Sequence, residues 1–401
     1  MNKVTRPTLI IVCGCLVVMI GFGLRASFGI FLAPMSESFG WGRGIFAMAI
    51  ALQNLMWGLS QPVAGVIADR FGSGRVIFVG GLLYATGLFL MADSSSPTQL
   101  YVSQGFFVGL GLSGTTFAVV LAAMARAVPE ERRSWALGVG TAAGSLGQFL
   151  LVPLGQGFLN SFGWSAALLL LGIGALAIMP LSRALTGRPA TATAEQSLRQ
   201  AIKEASGHRG YWLLFCGFFV CGFHLAFIST HLPAYLTDRG LSATLGAWVL
   251  GTVGLFNIIG AYSFGYFGDR YSKKNLLSLL YLLRSIVLAI FIVLPLSNTS
   301  ALVFGAAIGL LWLSTVPLTS GLVGQIFGAR YMATLFGLVF LGHQLGSFLG
   351  VWLGGRLFDS TGSYDLVWWI CIGLSLVSAL LHWPIDERPI SRSTTQPATQ
   401  P

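Results

Sequence analysis

Charge is the scarcest feature of this 401-residue chain. Asp, Glu, Lys and Arg make up 9% of it and hydrophobic residues 55%, whereas a soluble domain is about a quarter charged. A globule of this mixture has too few polar groups to cover its surface. Two or three soluble domains are therefore excluded, and lipid is the solvent for most of the chain. Cysteine is scarce as well. Cys13, Cys15, Cys216, Cys221 and Cys371 all lie in apolar stretches, and the first two, being two apart, point to different faces of a helix. That pattern argues against a metal site and reads as small packing residues. The net charge of +10 comes with no basic run or basic–aromatic stretch, so no nucleic-acid partner is implied. Mid-segment carboxylates are missing altogether: Glu37, Asp93, Asp238, Asp359 and Asp365 all stand near segment ends.

What is present in abundance is long apolar runs. A membrane helix needs about 20 mainly apolar residues. The chain offers twelve such segments, approximately 8–33, 44–68, 75–93, 98–126, 133–159, 164–185, 210–237, 243–268, 273–296, 300–326, 331–356 and 364–385. The mean hydropathy of +0.78 and the 52 glycines agree, since helices in lipid pack closely through small residues. Segment one follows Lys3 and Arg6 as a signal peptide would, but its length, its Arg25 and the lack of a cleavage site make it a membrane helix. With the N-terminus inside, eighteen loop cations face the cytoplasm and only Arg43, Arg239 and Arg356 face outward. That bias predicts both termini on the cytoplasmic side and an even number of spans. The expected organisation is a six-helix bundle over 1–185, a cytoplasmic linker over 186–209, a second six-helix bundle over 210–385 and a disordered tail over 386–401. Within the linker, LRQAIKEASGHR reads as a short surface helix.

The two bundles look like copies of one another. Gly65-VIA-Asp69-Arg70 at the end of segment two reappears 200 residues on as Gly265-YFG-Asp269-Arg270 at the end of segment eight. Segments five and eleven align at an offset of 199, where Gly138, Gly147, Phe149 and Gly155 meet Gly337, Gly346, Phe348 and Gly354. Two registers agreeing to within one residue point to a duplication, and duplicated six-helix halves suit a carrier with its site near the midplane between them.

The stretch Gly65, Asp69, Arg70, Gly72, Arg75 (G-x-x-x-D-R-x-G-x-G-R) resembles the loop motif of the major facilitator superfamily. The resemblance covers almost the whole chain. It implies an all-α integral membrane protein of twelve transmembrane helices in two pseudo-symmetric six-helix bundles, acting as a secondary transporter. It also implies that Gly65, Asp69, Arg70 and Arg75, with Asp269 and Arg270, form a cytoplasmic latch favouring one access state. The physical rationale is that Asp69 ends its helix, where the macrodipole disfavours a carboxylate, so it needs a partner elsewhere.

Ionisable groups inside a membrane are costly and mark function. Arg25 lies about 24 Å along segment one at 1.5 Å per residue, in the outer half. Its surroundings, GLRASFGIFLAPMSESFGWGR, resemble the first helix of bacterial members of the monocarboxylate transporter family, which includes oxalate–formate exchangers. By that resemblance Arg25 faces the central cavity and binds a carboxylate, which a guanidinium matches bidentately; the plainer reading is an arginine snorkelling to the interface. Many members also carry an Asp and, four residues later, an Arg on segment eight. Here those positions are Asn257 and Ala261. Asn257 is expected to bond either a ligand or a neighbouring helix. Arg284, centred in segment nine, is expected to pack against inner helices.

Among the histidines, His224 and His343 are candidates for the cavity wall and His231 a weaker one; each could bind an anion when protonated, or carry a proton. Segment five, GSLGQFLLVPLGQ, only loosely resembles an antiporter motif, and the acidic proton carrier of many drug–proton antiporters is missing. A coupled proton must then reside on histidine or on the substrate. The glycine clusters GLGLSG and GVGTAAGSLG have no following Lys-Ser/Thr and read as helix contacts, not phosphate loops. Trp41, Trp164, Trp248, Trp368 and Trp369 read as interfacial anchors.

The leading expectation is a monomeric secondary transporter of a small organic anion, with Arg25, Asn257, His224 and His343 at its site, a multi-pass location in the cell membrane and no cofactor. A carrier of a neutral or heteroaromatic solute and a transporter-like receptor are the alternatives. A membrane enzyme is disfavoured because no catalytic acid, metal cluster or sizeable aqueous loop is visible.

Overall fold

The computed structural model describes residues 5–129, 133–185, 197–328 and 331–390. The first part of the linker, 186–196, the tail from 391 on and the side chain of Asp69 lie outside that description. Among the described residues all regular structure is helical, and ten helical stretches are long and apolar enough to cross a membrane. That count departs from the twelve sequence segments in two places. Segments five and six form one stretch, Arg133–Leu176, of two helices that meet at a kink at Gly163 (φ 77°, ψ 173°), where the sequence places the break between them. Segment two is a 29-residue helix, Arg43–Phe71, outside the ten, its apolar run interrupted by Gln53, Asn54 and Gln61.

Segments four and ten are broken in their middles. Segment four passes through widened π turns at Tyr101–Val108 and the short helix Gly109–Thr115. It becomes extended at Thr116 (φ −104°, ψ −169°) and resumes as Phe117–Arg126. Segment ten stops at Leu310 and restarts at Thr315. The two restarts follow hydroxyl residues, Thr116 and Ser314, that are fully enclosed by protein. Irregular backbone survives at membrane depth only where protein or a cavity surrounds it.

Close packing repeats along with the sequence. A methyl at Gly147 would lie 2.0 Å from the Met19 carbonyl of segment one, and one at Gly346 would lie 1.9 Å from the Phe219 carbonyl of segment seven. These glycines and their partners are 199 and 200 residues apart, so the duplicated pattern yields the same helix contact twice. Outside these contacts the helices turn large apolar side chains outward, among them Val293, Leu380 and Tyr262.

The contacts between loops sort the molecule into two ends. At one, Arg126 meets Ser73, Lys274 N–H meets Glu387, and Ile390 N–H reaches the Ile326 carbonyl; the C-terminal residues lie here. At the other, Trp164 bonds Ser38, Ser165 bonds the Ala92 carbonyl and Arg239 pairs with Asp365. The short helix Leu198–Ser206 forms as expected from the linker sequence, with Ser197 and Gln200 making a capping box. Trp368 corrects one expectation. It is buried against Phe227 and Phe291, while its neighbour Trp369 is exposed, because adjacent helix residues face different ways.

Candidate substrate site and gates

Arg25 stands in the last turn of Thr5–Ala26, just before the chain tightens into a 3-10 turn at Ser27–Phe31. One terminal nitrogen donates to Asn54 Oδ1 at 3.0 Å, and Asn54 is steadied by its own bond to the Ile50 carbonyl. The guanidinium lies 5.2 Å from the Trp57 ring and 5.8 Å from Phe22, both within cation–π range. Its Nε is buried without a partner. Among the described residues no carboxylate pairs with Arg25.

Trp57 connects this cation to the second half of the chain. Its indole N–H donates to Gln61 Oε1 at 2.8 Å, and Gln61 donates to the Ser113 carbonyl beside the break in segment four. The Trp57 ring meets Phe340 edge-on at 5.4 Å, and Phe340 stacks on His343 at 5.3 Å. Arg25 and His343 thus stand on one aromatic run that crosses between the halves. His343 Nδ1 lies 3.2 Å from Gln344 Oε1 and 3.5 Å from Ser347 Oγ.

The other two predicted site residues are placed differently. Asn257 is buried with both ends of its amide engaged: Nδ2 donates to Ser145 Oγ at 2.8 Å, and Oδ1 accepts the Leu313 N–H at 2.8 Å. It joins segments five, eight and ten, with one of its two amide N–H groups spent on Ser145. His224 faces segment twelve, where Nε2 lies 2.9 Å from the Cys371 carbonyl. The structure does not bring it to Arg25. His231 is likewise occupied, by Tyr364 and the Val351 carbonyl.

At the latch, Arg70, Arg75, Asp269 and Arg270 are exposed, and among the described residues none of them makes an ion pair. Arg270 lies over the Tyr266 ring at 3.6 Å. Gly65 is equally free, since a methyl there, or at Gly138 or Gly337, would touch nothing within 4 Å. These glycines belong to the terminus-bearing ends of segments two, five and eleven. Further along the same helices the halves are in close contact. A methyl at Gly254 would lie 2.8 Å from the Ser145 carbonyl, and one at Gly58 would lie 2.7 Å from Gln344. At these positions the halves touch toward the end opposite Ile390 and not beside Gly65, Gly138 and Gly337.

The end opposite Ile390 holds a charge cluster that sequence reading missed. Arg43, the first residue of its helix, forks onto both oxygens of Asp238 at 2.5 and 2.6 Å and lies 4.0 Å from the Phe358 ring. The Arg43 and Gly44 N–H groups donate to the two oxygens of Asp359, each at 2.8 Å. A carboxylate from one half thus caps a helix N-terminus of the other, where charge and dipole agree. A methyl at Gly42 or Gly44 would lie 2.6 Å from that carboxylate, which explains the sequence Gly42-Arg43-Gly44. The signal was available: the acids cluster at the ends of segments, on the side that has only three cations. The pairing was not, because 195 and 316 residues separate the partners.

A family model of the Major Facilitator Superfamily matches residues 13–351, and the chain belongs to that superfamily. It is a membrane transporter and not an enzyme. It is 27% identical over 379 residues to an uncharacterized MFS-type transporter, YcxA, of Bacillus subtilis (strain 168), covering 89% of this chain and 90% of the relative. Over 394 residues it is 27% identical to monocarboxylate transporter 13 of Rattus norvegicus, covering 94% and 88%. Among solved structures it resembles a bacterial homologue of the human lysosomal transporter Spinster, in an inward-facing and occupied conformation. That match has a TM-score of 0.75 and 13% identity and covers 94% of this chain and 96% of the other, which shows the shared fold.

Proposed function

We propose that this transporter carries a small organic anion, a monocarboxylate by its chemistry, across the cell membrane by alternating access. The observation that carries the reading is Arg25: a half-buried cation whose wall offers a neutral amide and two aromatic rings, with its Nε unpartnered. An incoming carboxylate supplies the missing negative partner. His343, at the far end of the Trp57–Phe340 run, faces the same passage from the second half, while Asn257 and His224, the other expected site residues, make helix contacts in this state. A coupled proton would reside on His343 or on the substrate. The monocarboxylate transporters among the relatives favour the same class.

In this reading twelve spans form two six-helix bundles, 1–185 and 210–385, joined by the linker 186–209, with both termini cytoplasmic by the Lys/Arg bias. The Arg43 cluster is then the outer gate, and the other end opens to the cytoplasm. The latch residues Gly65, Asp69, Arg70, Arg75, Asp269 and Arg270 engage in the opposite, outward-facing state.

Counterflow in proteoliposomes with pyruvate as probe is the test. Saturable exchange in the wild type, lost in Arg25→Ala at equal membrane insertion, is the expected result; equal uptake by the two would overturn the assignment of Arg25. A neutral or heteroaromatic cargo is favoured by one observation, the aromatic run with Ala261 in place of a second cation. A thermal-shift panel that answers neutral ring compounds and no carboxylate would select that alternative.

A further inference from the structure

Arg284 is the second cation at membrane depth, and unlike Arg25 it has no access to any passage: its side chain is fully buried. From the helix Lys273–Val293 it reaches into the break of segment ten. Nε and Nη2 donate to the Leu311 carbonyl at 3.1 and 2.5 Å, and Nη2 also donates to the Trp312 carbonyl. Nη1 lies 3.4 Å from Cys221 Sγ. From the other side, Asn257 accepts the N–H of the next residue, Leu313, and donates to Ser145 of segment five. Peptide groups of three consecutive residues are thus held by side chains from two other helices. Among the described residues no carboxylate faces Arg284, so its charge is met by carbonyl dipoles and a sulfur.

The first half holds its own break by lighter means. There Gln61 donates to the Ser113 carbonyl at 3.1 Å. Ser113 and Leu313 are 200 residues apart, the offset of the repeat, and the residue equivalent to Gln61 is Ala261, which has no group to offer. Segment eight therefore holds this break only through the Leu313 N–H at Asn257, and an arginine from segment nine supplies the donors to its carbonyls. A planar guanidinium suits it, because its donors are fixed in a rigid fork that matches adjacent carbonyls, whereas an ammonium's three donors sit on one rotating nitrogen.

We propose that Arg284 and Asn257 form a clasp that keeps segment ten unwound at Leu311–Leu313 and ties the break to the other half through Ser145. Arg284 is then a positioning residue for transport and does not bind the substrate. This inference rests on the transporter assignment and is independent of Arg25 and of the cargo's charge.

Amide hydrogen exchange of the full-length protein in nanodiscs tests it without any substrate, alongside counterflow. In Arg284→Ala, exchange across 310–316 should rise about tenfold or more, as expected for losing buried charge-assisted bonds, with the other helices unchanged. Arg284→Gln places its amide nitrogen where Nε stands and should retain more of that protection than Arg284→Lys, which keeps the charge without the fork. Counterflow should follow the same order, with the maximal rate falling and half-saturation little changed. Unaltered exchange across 310–316 in a monodisperse Arg284→Ala protein would overturn the clasp. So would a Lys variant that outperforms Gln in transport, since that ranking marks a role for charge. If Arg284→Ala fails to fold, Asn257→Ala leaves the guanidinium in place and should free the Leu313 amide alone; continued protection there overturns the clasp equally.

Discussion

Two arginines lie at membrane depth, and their surroundings separate them. Arg284 is held by two backbone carbonyls and a sulfur, whereas Arg25 keeps a free Nε, a single amide oxygen and two ring faces. Sequence reading identified both as charges in apolar segments. It could not tell them apart, because the difference lies in which distant carbonyls surround each one. The role proposed for Arg25 makes a graded prediction. Arg25→Lys keeps the charge and loses the fork, so half-saturation for an anionic substrate should rise about tenfold while some transport remains. Asn54→Leu removes the acceptor that orients the guanidinium. A hydrogen bond to a charged group contributes about 1.5–3 kcal/mol, so half-saturation should rise by about tenfold or more here too. The concentration dependence of counterflow decides both. A Lys variant as inactive as Arg25→Ala would mean that the cation's shape is essential, and an unchanged Asn54→Leu would remove Asn54 from the site.

At the scale of elements, the duplicated pattern was legible and its interruptions were less so. Gly147 and Gly346 aligned in the sequence, and each meets the backbone of its partner helix at about the same closeness. Spacing carries that kind of contact, since a close crossing demands a small residue at a fixed turn. The breaks in segments four and ten left a fainter trace. SGTTF and LSTVP offer hydroxyls, and Pro317 stands in the first turn after the second break, but each lies inside a segment apolar enough to read as one span. What unwinds them is held by Gln61, Asn257 and Arg284, brought in from other segments. The turn between segments five and six was legible, because Gly163, which takes a positive φ at little cost, stands where the backbone leaves helical geometry. The close crossings give a stability test. Gly346→Ala inserts a methyl 1.9 Å from the Phe219 carbonyl, whereas Gly337→Ala on the same helix meets nothing within 4 Å. Overpacking costs about 1–3 kcal/mol, so thermal unfolding in detergent should fall clearly for the first and stay at the wild-type value for the second. Equal melting temperatures would show that segments seven and eleven can separate at that crossing at little cost.

For the whole molecule, the few charges lie mainly at its ends, and the two ends are treated oppositely. At the terminus-bearing end Arg70, Arg75, Asp269 and Arg270 are exposed and, among the described residues, make no ion pair. At the other, Arg43 binds Asp238 while Asp359 caps the helix that Arg43 begins. The cluster is semi-exposed, with 14% of the Arg43 side chain and 32% of the Asp238 side chain accessible, so the ion pair alone counts for little. The cap is the stronger element, because two N–H groups that point along the helix axis would be left without their acceptors on opening. Asp359→Asn tests it at constant size. The amide has one accepting oxygen for two donors and turns an N–H group toward the other. The loss of one charge-assisted bond should shift the balance toward opening at that end by about tenfold. Spin labels on cysteines introduced at Glu37 and Ala243, in a cysteine-free background, would report it as a longer-distance population in Asp359→Asn and a smaller one in Arg43→Gln. Because Arg43→Gln keeps the backbone N–H groups and removes only the fork onto Asp238, this ordering separates the cap from the ion pair. The reverse ordering would make Asp238 the principal tie. Identical distributions in both variants and the wild type would mean that the close contact of Gly355 with Ala47 and Gly44 holds that end shut without help from charge.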